Sequence, residues 1–367
     1  MTKGSADQKQ HLNLSPRAYA IVCQDMFTLM HTDSLSGFLN AVFARYYETA
    51  QASIGLYRSR RRQELVELFV ERLGEKMAGE AADCLLEKEL ARLQAQVRAY
   101  PGGCMLKFRL NNENFAYLYP EQEEDGVFHF PEDAYYHSVG QYLKAVIEEY
   151  ASHSFFEREE IFCRDILLQL ENCIATGTLV RLNFVNGSFD MKPCCLQGDD
   201  KLEYHYLAGY SRPAHADGEG DSATSVRISQ ILSVETRSYR SGRPTAAQRK
   251  ELARLIHANG IAFLRGQVEE EIIVRLTPEG VRKYRKLLHL RPALVKREEQ
   301  DGCSIYHFRC TRLQARFYLF RLGADAYVLQ PPELRAALHE RFAAAAKAYE
   351  EDMDFLNGSE SSEDFPS

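Results

Sequence analysis

Alternating apolar and polar residues, each time followed by helical periodicity, occur twice in the first 150 residues of the chain. His11–Pro16 alternates and gives way to a helical pattern, and a second helical pattern begins at Ser34. About a hundred residues further on, Met105–Leu110 alternates more strongly, and another helical pattern begins at Ser138. The pattern therefore predicts a strand-helix-helix unit that is used twice.

The helical windows that begin at Ser34 and Ser138 also share residues. Five of thirteen aligned positions are identical, and a sixth is aromatic in both windows. The identical pairs are Ser34/Ser138, Leu39/Leu143, Ala41/Ala145, Val42/Val146 and Tyr46/Tyr150. Because a lone short strand leaves its backbone groups unpaired, we expect the two strands to pair antiparallel over four helices.

The two predicted strands have one apolar face and one polar face. Alternation places Leu12, Leu14, Leu106, Phe108 and Leu110 toward the helices. The opposite face carries Lys9, His11, Asn13, Met105, Lys107 and Arg109. This arrangement resembles the ribbon-helix-helix fold, here with both halves in one chain. The resemblance implies that the outward residues contact nucleic acid and that Ser34 and Ser138 mark phosphate-binding turns. The alternative is an ordinary solvated face.

The net charge of −7 is unevenly distributed. Residues 350–367 contain seven acidic residues and no Lys or Arg, so the rest of the chain is neutral. This tail is expected to be disordered. Residues 1–62 carry a local excess of basic residues, which includes Arg58, Arg60, Arg61 and Arg62. These arginines are candidate phosphate contacts, or they form the solvated start of a helix. One or two spacer helices are predicted over 63–100. The overall acidity therefore does not exclude a nucleic-acid partner.

The second half begins with a predicted helix, stopped by Gly177, and a period-2 strand at Thr178–Phe184. Asn186-Gly187 is typical of a two-residue hairpin turn. Further strands are predicted at 191–196, 202–209 and 225–234, which gives a small bent β-sheet domain. In order, these segments resemble the WYL domain. His205-Tyr206-Leu207 stands where that family has Trp-Tyr-Leu, in a chain without Trp.

The WYL resemblance implies a ligand pocket for nucleic acid or nucleotides. Matching the family pattern selects His205, Tyr206, Arg212 and Arg227, with Lys192 and Gln230 as weaker candidates. Arginine grips phosphate in a bidentate manner, and tyrosine stacks on a base. Two alternatives stay open: Tyr206 is a core residue, or Arg227 forms a local salt bridge. Gln230 departs from the family, which often has a second Arg there.

The C-terminal block resembles the extension that often follows WYL domains. The resemblance rests on a strand at Ile272–Leu276, a helix at Pro278–His289, and the run from Phe317 to Arg335. Its most specific parts are Leu322-Gly323 and Val328–Pro331. The Ala-rich helix at 334–349 is a candidate for homodimerisation, or it packs within its own domain.

Signals for catalysis, metal or membrane insertion are absent from the sequence. It has no GxGxxG, Walker, HExxH or GxSxG motif, and carboxylate runs at 157–160 and 269–271 are typical of solvated faces. The nine Cys form no Cys-x-x-Cys pair, so neither a metal site nor a cofactor is predicted. No apolar run approaches the ~20 residues of a membrane span. We therefore expect a cytoplasmic, non-enzymatic protein.

Together these patterns predict an α+β protein with five segments. They are a ribbon-helix-helix-like domain at 1–158, a WYL domain at 159–242, a helical linker at 243–268, the extension at 269–349 and the tail at 350–367. This order resembles the WYL accessory proteins of type VI-D CRISPR systems. The resemblance implies a regulator that binds single-stranded RNA and positively modulates an RNA-guided ribonuclease. The alternatives are a ligand-responsive transcription factor on duplex DNA, and a protein-interaction scaffold.

Overall fold

A computed structural model of the protein describes residues 9–120, 130–199, 203–211, 221–264, 270–300 and 302–359. The chain divides into two compact units, Met1–Leu207 with Val226–Arg243 and Ala208–Ser225 with Pro244–Ser367. Helices and small antiparallel sheets make up both units, which confirms the predicted α+β class. Within the described ranges, no helix combines the length and apolarity needed to span a bilayer.

Two strand-helix-helix arrangements lie in the first unit. The first consists of β1 (Lys9–Leu14), α1 (Pro16–Leu29) and α2 (Leu35–Tyr46). The long helix α3 (Ile54–Arg98) follows it. The second consists of β2 (Cys104–Arg109), α4 (Asn112–Leu118) and α5 (Val139–Ser152). β1 and β2 pair antiparallel, with His11 opposite Lys107. α2 packs on β2 and α5 packs on β1. Each strand therefore packs against the second helix of the other half, so the two halves are intertwined.

Equivalent helix caps support the internal repeat. The Ser34 hydroxyl accepts a hydrogen bond from the third backbone N–H of α2, and the Ser138 hydroxyl does the same for α5. The first helices of the two halves begin alike, with Ser15 capping α1 and Asn111 capping α4. Each such cap stabilises its helix by about 1 kcal/mol. The cap residues therefore fix where the chain enters each helix in both halves.

α3 is a helical hairpin whose turn lies at Gly74. Gly74 has φ of 71° and ψ of 161°, which interrupts the helix. Ion pairs join Arg62 to Asp83 and Arg61 to Glu89. In a straight helix these partners would be about 30–40 Å apart. The chain therefore reverses at Gly74, and the hairpin stands where the sequence predicts one or two spacer helices.

The chain continues through two helices into a five-stranded sheet. The elements are α6 (Phe155–Phe162), α7 (Arg164–Thr176), β3 (Thr178–Phe184), β4 (Gly187–Asp199), β5 (Tyr204–Ser211), β6 (Ser222–Arg227) and β7 (Ser233–Ser241). The strand order is β6-β5-β4-β3-β7, and α7 packs on β3, β4 and β7. The predicted turn at Asn186-Gly187 is wrong by one residue. Gly187 pairs with Phe184 and has φ of 132°, so it begins β4 and the turn consists of Val185 and Asn186.

The second unit contains a separate four-stranded sheet with its own core. Its elements are α8 (Ala246–Asn259), β8 (Glu270–Leu276), α9 (Pro278–Lys286), β9 (Ala293–Gln300), β10 (Cys303–Cys310), α10 (Arg312–Phe320), β11 (Ala326–Gln330) and α11 (Pro332–Ser359). The strand order is β11-β8-β10-β9. Tyr318 and Phe308 are fully buried at the centre of this core. The predicted strand at 272–276 and the helix from Pro278 are both present.

Candidate nucleic-acid interface

The outward face of the β1–β2 ribbon is a continuous polar surface. Burial alternates along both strands, as the sequence pattern predicts. The exposed residues are Lys9, His11, Asn13, Met105, Lys107 and Arg109. Lys9 lies opposite Arg109 and His11 lies opposite Lys107. The two strands therefore place basic side chains next to each other, which makes this face a candidate for phosphate contact.

Asn13 has a structural hydrogen bond that the sequence pattern does not reveal. Its side-chain oxygen accepts from the backbone N–H of Gly103, at 2.8 Å. A Cβ atom on Gly102 would lie 2.4 Å from the Asn13 side-chain nitrogen. Asn13 therefore holds the turn that leads into β2. Among the six outward residues, the basic ones are therefore better candidates for phosphate contact than Asn13. They are Lys9, His11, Lys107 and Arg109.

The arginines at the start of α3 are partly engaged in the helical hairpin. Arg61 donates to Glu89 and Glu64, and Arg62 makes two bonds to Asp83. These cations lower the pKa of Glu89 and of Asp83. Arg60 donates to the carbonyl groups of residues 48 and 49. Arg58 is exposed. A phosphate role for this cluster stays a prediction, and the geometry gives it a structural role.

Tyr206 and Arg227 come together on β5 and β6. The Arg227 guanidinium lies 4.1 Å from the ring centroid of Tyr204. Tyr206 is only 3% exposed, and its hydroxyl has no hydrogen-bond partner among the described residues. Burial raises the pKa of Tyr206, and the positive charge of Arg227 opposes that rise. A buried hydroxyl without a partner is rare, and a water or ligand usually completes it.

The other predicted pocket residues are less closely grouped. Gln230 is exposed and Lys192 is half-buried. Arg212 lies outside the described residues. His205 is turned into the protein, because its ring stacks on Phe156 at a centroid distance of 3.8 Å. The residue at the family's Trp position is therefore a packing residue, and Tyr206 is one as well because it is almost fully buried. Arg227 is half-buried, and a ligand contact for it stays a prediction.

Glu159 anchors His205 and corrects one expectation. The run at 157–160 is predicted to be a solvated face, but Glu159 is 0% exposed. Its carboxylate accepts from the His205 backbone N–H at 2.5 Å and from the Ser229 backbone N–H at 3.1 Å. The His205 ring nitrogen Nδ1 lies 3.1 Å from the same carboxylate. The prediction was wrong because the partners are far away in sequence.

Arg158, the residue before Glu159, contacts α1 instead of the five-stranded sheet. Its guanidinium makes two bonds to Asp25 of α1, at 2.6 and 3.2 Å, and the Tyr150 hydroxyl donates to the same carboxylate. Asp25 is 0% exposed. Arg158 and Glu159 therefore join α1 of the ribbon half to β5 of the five-stranded sheet. We call these two residues with Asp25 and His205 the α6 junction.

Comparison with known proteins identifies the C-terminal part of the chain. Residues 269–346 match the WCX domain. This match confirms the resemblance of this block to the extension associated with WYL domains. No curated protein sequence matches the chain.

One solved structure has a similar fold over nearly the whole chain. A structure described as a CRISPR Cas-related protein superposes with a TM-score of 0.67 at 20% identity, and the match covers 95% of this chain and 96% of that chain. A second structure, proteasome accessory factor B/C (PafBC) of Arthrobacter aurescens, has a TM-score of 0.24 at 16% identity and covers 58% of this chain and 33% of that chain. The first likeness shows the fold.

The WCX domain carries an aromatic-cation group of its own. The guanidinium carbons of Arg275 and Arg335 lie 5.1 and 6.0 Å from the ring centroid of Tyr327. Tyr327 is partly exposed at 46%. In the described part of the chain, no three His, Cys, Asp or Glu side chains converge as a metal site requires.

Proposed function

We propose that the protein is a non-enzymatic regulator that binds single-stranded RNA and positively modulates an RNA-guided ribonuclease of a CRISPR system. The observation that carries this proposal is the exposed basic row on the β1–β2 ribbon. The basic side chains of this row lie two residues apart along each strand, and this regular spacing suits contacts with successive phosphates of a nucleic-acid backbone. The fold shared with a CRISPR Cas-related protein and the WCX match support the regulatory setting.

The unequal halves of the ribbon favour single-stranded RNA. In an intertwined dimer the two strands are identical, and two-fold symmetry matches a palindromic duplex. Here β1 presents Lys9, His11 and Asn13, whereas β2 presents Met105, Lys107 and Arg109. A binding surface without two-fold symmetry does not require a palindromic nucleic-acid sequence. Met105 is 70% exposed and adds an apolar contact for an unstacked base.

The second candidate is a ligand-responsive transcription factor that binds duplex DNA. A two-stranded antiparallel ribbon with an exposed basic face has the right dimensions for the major groove. The Arg227 guanidinium, beside the buried hydroxyl of Tyr206, would serve as the ligand sensor. This candidate uses the same ribbon residues, so the nucleic acid itself must decide between the two.

A binding titration tests the proposal. Lys107→Ala with Arg109→Ala should weaken binding of an unstructured RNA of ~20 nucleotides, measured by fluorescence anisotropy at ~150 mM salt. Each lost phosphate contact on a single strand lowers the slope of log K against log salt by about 0.7, so the double variant should lose about 1.4. Arg72→Ala with Lys76→Ala removes the same charge from exposed sites on the α3 hairpin and should leave the slope unchanged.

The competing outcomes are distinct. Tighter binding of duplex DNA than of RNA of equal length would refute the RNA proposal in favour of the transcription factor. Binding of neither polymer would leave a protein-interaction scaffold. If RNA binds as expected, adding the protein to a type VI ribonuclease should raise its cleavage rate, and the Lys107/Arg109 variant should not. A homodimer is also expected, and light scattering of the full chain would measure it.

A further inference from the structure

A cavity of about 300 Å³ lies in the first unit, away from the outward face of the ribbon. It is lined by the start of α3, the second arm of the α3 hairpin, the segment before α5, and α5 itself. Its chemically active lining consists of Arg98, Tyr100, Tyr135, Tyr136, His137 and Lys144. A volume of this size is at the lower end of small-molecule sites, and it suits a ligand of about one nucleotide.

The lining is positively charged. Arg98 and Lys144 carry permanent charges, and none of the described residues that line the cavity is acidic. Lys144 Nζ donates to the Tyr100 carbonyl at 3.1 Å, which orients the ammonium and leaves two further donors. Arg98 is exposed at the rim. The cavity therefore favours an anion.

The carboxylates that act electrostatically on Tyr100 and Tyr136 are hydrogen-bonded to other parts of the chain. Glu148 accepts from the backbone N–H and the hydroxyl of Ser15. Glu149 accepts from the backbone N–H groups of Gln51 and Ala52, at 2.9 and 2.6 Å. Glu132 accepts from the backbone N–H of Gly55, at 2.9 Å. All three carboxylates are thus committed to the chain at the start of α1 or around the start of α3. They moderate the positive charge of the cavity without offering it an acceptor.

Aromatic and amide groups complete the lining. Tyr136 is fixed, because its hydroxyl donates to the Ala52 carbonyl at 2.6 Å and its ring packs on Tyr142. Tyr100 and Tyr135 are half-buried, so part of each ring remains accessible. The Gln141 side-chain oxygen accepts from the His137 backbone N–H, which leaves its NH2 group as a donor. Rings that can stack and an amide that can donate are groups that recognise a nucleobase.

We propose that this cavity binds one nucleoside monophosphate unit, with its phosphate held by Arg98 and Lys144 and its base against the rings of Tyr100 and Tyr135. The site is separate from the ribbon, and it goes beyond the proposed function. α5 connects the two: a Cβ on Gly140 would lie 3.3 Å from the His11 carbonyl oxygen. The nucleotide is either free or the phosphorylated end of an RNA that the ribbon holds.

Calorimetric titration of the full chain with AMP, UMP, the matching nucleosides and inorganic phosphate tests the site. At least one nucleotide should bind at least tenfold more tightly than its nucleoside and than phosphate. Arg98→Gln and Lys144→Gln should each weaken that binding at least tenfold. Arg92→Gln, an exposed arginine on the same helical arm that does not line the cavity, should leave it unchanged. Because Arg98 is exposed, its variant should keep the wild-type melting temperature.

Several results would overturn the assignment. They are the absence of binding at millimolar nucleotide, equal affinity for nucleoside and nucleotide, and unchanged affinity in the Arg98→Gln variant. Displacement of the bound nucleotide by RNA with a 5′-phosphate, but not by dephosphorylated RNA, would identify an RNA end as the source. Failure of both RNAs to displace it would identify a free nucleotide. Lys107→Ala with Arg109→Ala should not change nucleotide binding, so failure of the ribbon proposal and failure of this one are separable.

Discussion

The Asp25–Arg158 ion pair in the α6 junction should show strong energetic coupling. Both side chains are almost fully buried, at 0% and 7% side-chain exposure. Removing one partner of a buried pair costs about 3–5 kcal/mol, because the other charge is left in a medium of low polarity. Asp25→Leu strands the Arg158 guanidinium, whose remaining hydrogen bond among the described residues is to the His153 carbonyl. Arg158→Met strands the Asp25 carboxylate, whose remaining hydrogen bond among the described residues is from the Tyr150 hydroxyl.

The double variant should be much less damaged than the two single variants suggest. Asp25→Leu with Arg158→Met buries no charge, and its remaining cost is about 1–3 kcal/mol for each hydrogen-bond partner left unsatisfied. The two single costs together are about 6–10 kcal/mol, and the two unsatisfied groups of the double variant cost about 2–6 kcal/mol, so the mid-range values give a coupling energy of about 4 kcal/mol. Urea titration followed by far-ultraviolet circular dichroism would measure the unfolding transition of the first unit.

Two results would refute this reasoning. Single variants that each cost less than about 1 kcal/mol would show that the pair is effectively solvated. Additive costs, within about 0.5 kcal/mol, would show that the two residues act independently. Arg181→Met removes a partly exposed cation from the pair with Asp190 in the same unit and is the matched control, with an expected change below about 1 kcal/mol.

Three further predictions concern other buried contacts. Glu159→Gln should destabilise the first unit by about 1–3 kcal/mol in urea titrations, because it removes a charged acceptor from two backbone N–H groups; no change would contradict its anchoring role. Burial raises the pKa of Glu132 above its value in the unfolded state. In the pH window between the unfolded and the folded pKa, the folded state therefore binds more protons than the unfolded state. Stability from this residue is therefore present below that window and is lost across it, and Glu132→Gln should flatten the pH dependence of the melting temperature. Gly280→Ala should destabilise the WCX domain by about 1–3 kcal/mol in thermal melts, because a Cβ there would lie 2.3 Å from the Asp325 carbonyl oxygen.

Local patterns predicted the elements that local physics decides. Alternation between Lys9 and Leu14 and between Met105 and Leu110 identified both ribbon strands, because one face is buried and the other is solvated. The caps at Ser34 and Ser138 are equally local, since each involves an N–H three residues away. The WCX motifs were recognisable for a different reason, because short specific runs occurred in the expected order.

Long-range contacts escaped prediction. Arg158 meets a partner 133 residues away, and Glu159 meets one 46 residues away. Nothing in the run Glu157–Glu160 distinguishes the buried members from the exposed ones. The cavity beside α5 has the same character, since its lining comes from three separate stretches of the chain, at 54, 94–100 and 135–145. Burial of a charge depends on which segments converge, and that convergence is a property of the whole fold.

Because the two halves of the ribbon are covalently connected, the ribbon should resist dissociation when the protein is diluted. Assembly of a ribbon from two separate chains pays about 4–15 kcal/mol in lost translational and rotational freedom. Within one chain, the second half is always present at an effective concentration that does not depend on how much protein the cell makes. The ribbon of this protein therefore persists at concentrations where a dimeric ribbon would dissociate. Each half is also free to acquire substitutions that its counterpart does not share, as the residues of β1 and β2 already do.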